Sequence, residues 1–515
     1  MSNKLARNLA KIESTGADKL LSCINRGLEK ESLRVLQDGH LAQTPHPVAL
    51  GSTLHHPSIT TDYSESLLEF ITPVHQDVES MLKFLEDLHV FTYQNMGDEI
   101  LWTNSMPCIL AGESSIPIAD YGTSHVGMMK HVYRHGLSWR YGKLMQTIAG
   151  VHYNFSLPER FFELLDSTDS SENRSRHYFN LVRNFHRHCW LTLYLFGSAP
   201  AICKSFVEGR EHNLEDFGSY SYALQTGTTL RMSDLGYQNN AQSSIQVCTD
   251  SVDQYVETLR AATELNWPEY EKIGIKVDGE YRQLNTNILQ IENEFYSVIR
   301  PKRTAYSGEK PTTALAKRGV EYIEVRSIDL DPYSPIGVTA DVIRFMDAFL
   351  LFCMFDESPE ISHKEQDEIT ANRTATVMYG RDAATKLNFN GEEINIRDAA
   401  TELFAGIEMS ASLLDKHSGH DHSTLVAREK EKINKPELTP SARILKEIGD
   451  NQEPYFNFAM RTAQHHKNYF DKQKLDDEVK QRLISEATES ISKTAELEAH
   501  EEGDFQSFLD TYFAG

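Results

Sequence analysis

Two glutamates at alternate positions, Glu29 and Glu31, lie in a segment, Ile24 to Val35, that reads as a strand. Spacing of i, i+2 puts both carboxylates on one face of a strand. The design recurs in GVEYIEVRSIDLD, Gly319 to Asp331, where Tyr322, Glu324 and Arg326 alternate with Ile323 and Val325. Glu324 and Arg326 would stand roughly 6.5–7 Å apart, neighbours that can still hold separate ligands. In Val151–Leu157, VHYNFSL, the polar face carries His152 and Asn154 against Val151, Tyr153 and Phe155. Within Ile59–Val74, Glu69 is embedded in Leu-Leu-Glu-Phe-Ile and Asp62 precedes it, while Glu65 reads as solvated. A carboxylate among large hydrophobes is costly to desolvate unless it is paired or holds a metal.

Each segment alone could be an exposed sheet face with a stray ion pair. Taken together, Glu29, Glu31, Asp62, Glu69, His152 and Glu324, with Arg231, Arg300 and Arg326, describe a site if the fold makes them converge. So many carboxylates in one cleft raise one another's pKa unless cations intervene. Oxygen ligands with one imidazole suit Mg²⁺ or Mn²⁺ rather than Zn²⁺. Divalent ions with arginines between them serve phosphoryl transfer, where catalysis is mostly positioning and charge neutralisation. A glycosidase needs a pair of carboxylates and aromatic platforms rather than this set with its arginines. A metal-binding scaffold without chemistry is the other competing class.

Around these strands the period of apolar residues predicts helices over 1–22, 76–96, 176–206, 251–266 and from Val338 to Phe355, with mostly helix thereafter. Tyr133, Arg134, Gln146 and Thr147 are polar groups in a helix-and-loop stretch, and Arg231 and Tyr237 lie in a Gly-rich loop. In Leu284–Arg303, Glu292, Glu294, Tyr296 and Arg300 are expected on one strand face, and Arg300, Lys302 and Arg303 form a dense positive spot suited to phosphates. GTSHVG has the glycine spacing of a phosphate loop but is followed by Met128-Met129 rather than Lys-Ser/Thr, so it is rejected as one. HSGHDH, with His417, His420 and His422, reads as a surface loop.

The balance of 51 basic against 75 acidic residues, net −24, argues against general binding to nucleic acid or anionic membrane. The start has no apolar h-region, and the longest apolar run, Ala348–Phe355, is too short to span a bilayer. The 6 cysteines show no CxxC spacing and read as reduced thiols in a cytoplasmic protein.

At these same residues the chain resembles bacterial glutamate–cysteine ligases of the proteobacterial type, in the glutamine-synthetase-like superfamily. The resemblance rests on RGLEKESLRV, ITTDYSESLLEFITPV, NMGDE, MQTIAGVHYNFSLP, LRMSDLGY, LQIENEFYSVIRPKR and EYIEVRSIDLDPYSPIGV, in order over about residues 20–345. Beyond about residue 360 it is thin. It implies an α+β fold: an antiparallel sheet curled into a funnel, flanked by helices, with a mostly helical C-terminal part. On this reading residues 1–515 are one ligase unit, with a sheet-bearing core over 1–337 and a helical part over 338–515 packed on it.

The resemblance further implies ATP as substrate with roughly two or three Mg²⁺ ions, Mn²⁺ being an alternative. Glutamate's side-chain carboxylate is activated as an acyl phosphate and attacked by the cysteine amine, the first step of glutathione synthesis. A ligase joining glutamate to a different amine is the alternative. By position, Glu29, Glu31, Asp62, Glu69, His152 and Glu324 match metal ligands, and Arg134 and Arg326 match groups holding the transferring phosphoryl. Gln146, Asn154 and Arg231 fall where glutamate is held; Tyr133, Leu137, Tyr237 and Tyr296 fall around the cysteine pocket. A monomer is expected, with glutathione as a candidate feedback inhibitor. No cysteine follows Cys353, which excludes a regulatory disulfide within the C-terminal part.

Overall fold

The segment with Glu29 and Glu31 forms a long strand, β1 (Asn25–Val35), in the middle of a seven-stranded sheet. The computed structural model describes residues 3–514 apart from 108, 167–170, 236–241, 243, 244, 246 and 307. The remaining strands are β2 (Ile59–Thr61), β3 (Leu67–Ile71), β4 (Ile100–Leu101), β5 (Val151–Ser156), β6 (Ile299–Lys302) and β7 (Tyr322–Ile328). They run β6-β7-β5-β1-β3-β2, all antiparallel, with β4 pairing with the end of β1. The α+β class with an antiparallel sheet is therefore what the chain adopts.

Alternation decides which side of the sheet is dry. Ile323, Val325, Tyr153, Phe155 and Leu28 are buried at 0% exposure, while their neighbours Glu324, Asn154 and Glu29 point to the opposite face. Helices α1 (Val78–Asn95), α3 (Ser171–Phe196) and α4 (Ala340–Phe355) cover the apolar face, numbered around α2 (His125–Tyr141), which carries Tyr133 and Arg134. The first two begin at side-chain caps: Asp77 accepts from the Ser80 amide and Ser124 from the Gly127 amide.

Behind the sheet one buried ion pair ties strands to helix. Arg26 of β1 donates to Asp347 of α4 at 2.8 and 3.0 Å, and the Tyr153 hydroxyl of β5 donates to the same carboxylate at 2.5 Å. Asp347 is fully buried, so both charges depend on each other for solvation. The main hydrophobic core runs from Leu5 to Leu483, through strands and helices alike, and a small separate cluster gathers Val132, Leu284, Phe505 and Leu509.

Several local expectations are corrected. Glu292 and Glu294 lie in a 3₁₀ turn rather than on a strand with Arg300, because both carboxylates are claimed by groups from other segments. Glu292 accepts from the Thr312 amide at 2.8 Å, and Glu294 from Arg140 at 3.0 Å and Tyr141 at 2.6 Å. Glu65 is not merely solvated: it accepts from the His46 and Asp120 amides at 2.7 and 2.9 Å, pinning two loops. The C-terminal part is helical but includes a hairpin, Lys386–Phe389 with Glu392–Asn395. Cys203 is disulfide-bonded, against the expectation of thiols throughout, since such pairing depends on tertiary proximity that spacing does not reveal. Cys23, Cys189, Cys248 and Cys353 are free.

The rejected GTSHVG segment opens α2, where Thr123 and His125 amides are capped by Glu498 and Glu501. In HSGHDH, His417 meets Asp18 at 2.8 Å and buried His422 meets Asp415, while exposed His420 lies near Asp77 and Glu79. Among the described residues no helix is long and apolar enough to cross a membrane.

Candidate active site

The polar face of the sheet is built in register rows. Arg300, Glu324 and Asn154 stand side by side across β6, β7 and β5; His152 faces Glu29 across β5 and β1; Glu31 faces Glu69 across β1 and β3. The side chains close on His152. Its Nδ1 lies 3.2 Å from Glu29 and 3.8 Å from Glu324, and its Nε2 lies 3.8 Å from Glu31. Glu29 also accepts from the Asn154 amide group at 2.9 Å, and Glu31 from the Gly150 backbone at 2.7 Å.

A bulge sets the position of Arg326. Between the pairs Val325–Tyr153 and Ile328–Val151, Arg326 and Ser327 together oppose the single residue His152. Arg326 thus lies beside Glu324 and donates to it at 3.0 Å, while Lys302 from β6 approaches the other oxygen at 3.2 Å.

The electrostatics divide the carboxylates. Burial and Glu324 push Glu29 upward, but His152 and Lys302 prevail and leave it below the usual carboxylate range. Against burial, Lys302, Arg326 and His152 hold Glu324 well below that range. Burial and Asp62 push Glu31 up, and burial with Glu29, Asp62 and Glu31 pushes Glu69 well up. One end of the site therefore has its charge compensated by cations of the chain, and the other has carboxylates crowded without enough of them.

That crowded end is approached by α2. Arg134 donates to the Asp62 carbonyl and to the Lys130 carbonyl at 3.0 Å, with its guanidinium 4.6 Å from the Tyr121 ring centre. Lys130, one turn earlier, lies over the same ring at 5.0 Å, and burial pulls its amine down to about 8 despite Glu69. Sequence reasoning passed over Lys130, although its i, i+4 spacing from Arg134 marks a shared helix face. Arg231 is buried at 1% exposure, donates to the Arg326 carbonyl at 2.7 Å and lies 3.8 Å from Asp329, a second residue not singled out. Gly150 makes room for it: a Cβ there would come within 2.2 Å of the guanidinium.

Of the residues expected around cysteine, Tyr133 and Leu137 lie one turn apart on α2, and the Tyr296 hydroxyl meets the Met232 sulfur at 3.5 Å. The Arg300 guanidinium donates to the Phe295 carbonyl and, at 3.1 Å, to that of Asn293, and its charge favours the ionised form of both Tyr133 and Tyr296 against their burial. Gln146 lies in the 3₁₀ turn Met145–Thr147 leading into β5. Arg303 does not join the others; beyond the end of β6 it turns to Glu321 at 3.6 Å and to the Arg318 carbonyl at 3.2 Å. Tyr237 lies outside the described residues.

The donor set fits a hard divalent cation. Glu29, His152 and Glu324 each offer a ligand atom, all within 4.8 Å of one another, and the remaining acids supply oxygen only.

Comparison with known proteins agrees with this geometry. The family model described as glutamate-cysteine ligase matches residues 9–376. A glutamate–cysteine ligase of Pseudomonas paraeruginosa is 48% identical over 520 aligned positions, covering 100% of this chain and 98% of that protein. One from Alcanivorax borkumensis is 46% identical, covering 99% of each. Among solved structures, glutamate–cysteine ligase of Francisella tularensis in complex with AMP superposes with a TM-score of 0.90 at 36% identity, over 95% of this chain and 97% of that one. By sequence along its whole length and by fold, the chain belongs to the glutamate–cysteine ligase family.

Proposed function

We propose that this chain joins the γ-carboxylate of L-glutamate to the amine of L-cysteine through γ-glutamyl phosphate, forming γ-glutamylcysteine, ADP and phosphate in the first step of glutathione synthesis. The enzyme is an ATP-dependent ligase of its family. The observation that carries the mechanism is the closing of Glu29, Glu31 and Glu324 on His152, with cations at one end. The complex of the Francisella relative with AMP supports a nucleotide as a ligand of this chain.

In this reading Glu29, Glu31, Asp62, Glu69, His152 and Glu324 would hold Mg²⁺, which supplies charge neutralisation for the phosphates when bound. Arg326 and Arg134 flank the acids from opposite ends and face the transferring phosphoryl, with Lys302 and Arg300 behind it. Asn154, Gln146 and Arg231 orient glutamate; Arg231's fork suits an α-carboxylate. Tyr133, Leu137 and Tyr296 form the apolar wall for the cysteine side chain, and Tyr237 is proposed with them. We take residues 1–337 as the catalytic core and 338–515 as packed on it, which the Arg26–Asp347 pair supports. The proposal extends to a cytoplasmic monomer inhibited by glutathione.

The test is ADP release by the purified protein. It is expected only when glutamate and an amine acceptor are both present with Mg²⁺, cysteine being best. Release that ignores glutamate would overturn the reading.

A further inference from the structure

On the back of β1, between Glu29 and Glu31, the side chain of Lys30 enters the core with 3% exposure. Burial pulls the Lys30 amine down to about 7, so it holds its charge at neutral pH only with a counter-charge beside it, ordinarily a carboxylate. Among the described residues none is paired with it: Lys30 donates to the Ser32 hydroxyl and, at 3.0 Å, to His89. His89 Nδ1 donates to the Leu85 carbonyl at 2.8 Å, so its Nε2 is a lone pair and brings no negative charge. The third Lys30 N–H is left over.

Next to Lys30 is a cavity of about 10 Å³, room for one water-sized particle and nothing as large as phosphate. Its walls include Lys30, His89, Tyr93 and His466, and no carboxylate. Tyr93, 6% exposed, accepts from the Leu101 amide at 3.2 Å, which leaves its own O–H as a donor. His466, 3% exposed, has a buried Nδ1 without a partner. The cavity therefore joins a cation, a hydroxyl donor and an unsatisfied imidazole, all buried.

We propose that this cavity is a binding site for one halide-sized inorganic monoanion, held by Lys30, Tyr93 and His466. The chemistry is that of a counter-ion: charge pairing for an ammonium that the chain itself leaves uncompensated, in a space that selects single-atom ions. The site lies on the opposite face of β1 from Glu29 and Glu31 and is separate from the ligase cleft.

Crystals of the whole protein grown with bromide in place of chloride, measured at the bromine edge, test it directly. An anomalous peak between Lys30, Tyr93 and His466 is expected; a cavity holding water alone, or bromide only elsewhere, overturns the proposal. In solution, chloride titrated against gluconate at constant ionic strength should raise the melting temperature saturably. Lys30→Met should abolish that rise, and Tyr93→Phe should increase the half-effect concentration about fivefold, the weight of one hydrogen bond. An unchanged chloride response in Lys30→Met also overturns it. Should Lys30→Met fail to fold, the bromide peak and Tyr93→Phe decide.

Discussion

Glu31 and Glu69 stand directly opposite each other on β1 and β3. Like charges in that position destabilise a sheet unless something stands between them. Burial, with Glu29, Asp62 and Glu31 nearby, accordingly lifts Glu69 well above the usual carboxylate range. A carboxylate raised in the folded state contributes stability at low pH and loses it as pH rises through its folded pKa. The Glu69 share of the metal-free protein's stability should therefore be lost as pH rises, and Mg²⁺ should restore it while displacing protons.

Glu69→Gln separates the two effects. It removes the repulsion, so the melting temperature in EDTA should equal or exceed that of the parent. The Mg²⁺-dependent rise should shrink, and kcat/KM should fall roughly 100-fold or more, as for loss of a group that stabilises transition-state charge. Thermal melts with and without Mg²⁺, beside steady-state kinetics, check both halves; near-normal turnover would return Glu69 to a structural role.

Arg326 donates to Glu324 at 3.0 Å from a bulge that brings it beside His152. Arg326→Lys keeps charge but loses the planar fork. The expected loss is about 2–4 kcal/mol of transition-state stabilisation, the size of one preorganised donor, appearing in kcat more than in the KM for ATP. Kinetics with ATP varied would assign Arg326 to ground-state binding if only that KM rose.

Asp347→Asn should act on stability first. It leaves Arg26 buried without its counter-charge and weakens the Tyr153 contact, at a cost of about 3–5 kcal/mol in urea unfolding. Double substitution of Arg26 and Asp347 to Met and Leu should recover part of this. Additive losses instead would show that the pair does not act as a unit.

Acid sensitivity should come partly from α3. Burial first, with Arg187 adding to it, pulls His188 down to about 3, and His186 to about 4 with Arg373 adding as well. A histidine depressed in the folded state contributes stability above its unfolded pKa of 6.5 and loses it as pH falls toward the folded value. Each should therefore remove up to about 1.4 kcal/mol per pH unit below that point. His188→Leu should flatten the fall between pH 6 and 4, measured by urea unfolding at fixed ionic strength. An unchanged slope would mean that His188 does not titrate on unfolding.

Alternation along Gly319–Asp331 and Val151–Leu157 was legible because it follows from covalent geometry: successive side chains on a strand point to opposite faces whatever it pairs with. The same holds for Glu29 with Glu31, and the cost of burying Glu69 follows from its neighbours in the chain. Net charge and ligand type could likewise be read before any fold. Those residues, with the family motifs they sit in, determined the chemistry that the site would support.

Distance was a different matter. That His152 meets Glu29, Glu31 and Glu324 depends on strand order, in which β5 inserts between β1 and β7, and on a bulge that no local pattern announces. Glu292 and Glu294 had the spacing of a site, yet Thr312, Arg140 and Tyr141 captured them from elsewhere in the chain. Arg303 resembled Arg300 and Lys302 in sequence and parted from them where β6 ends. Lys130, the bond at Cys203 and the buried Lys30 amine, bonded to Ser32 and His89 rather than to a carboxylate, likewise became visible only in three dimensions. Sequence specifies which groups each segment offers and to which side; pairing, burial and counter-charge arise between segments hundreds of residues apart, as from Arg26 to Asp347, and only packing decides them.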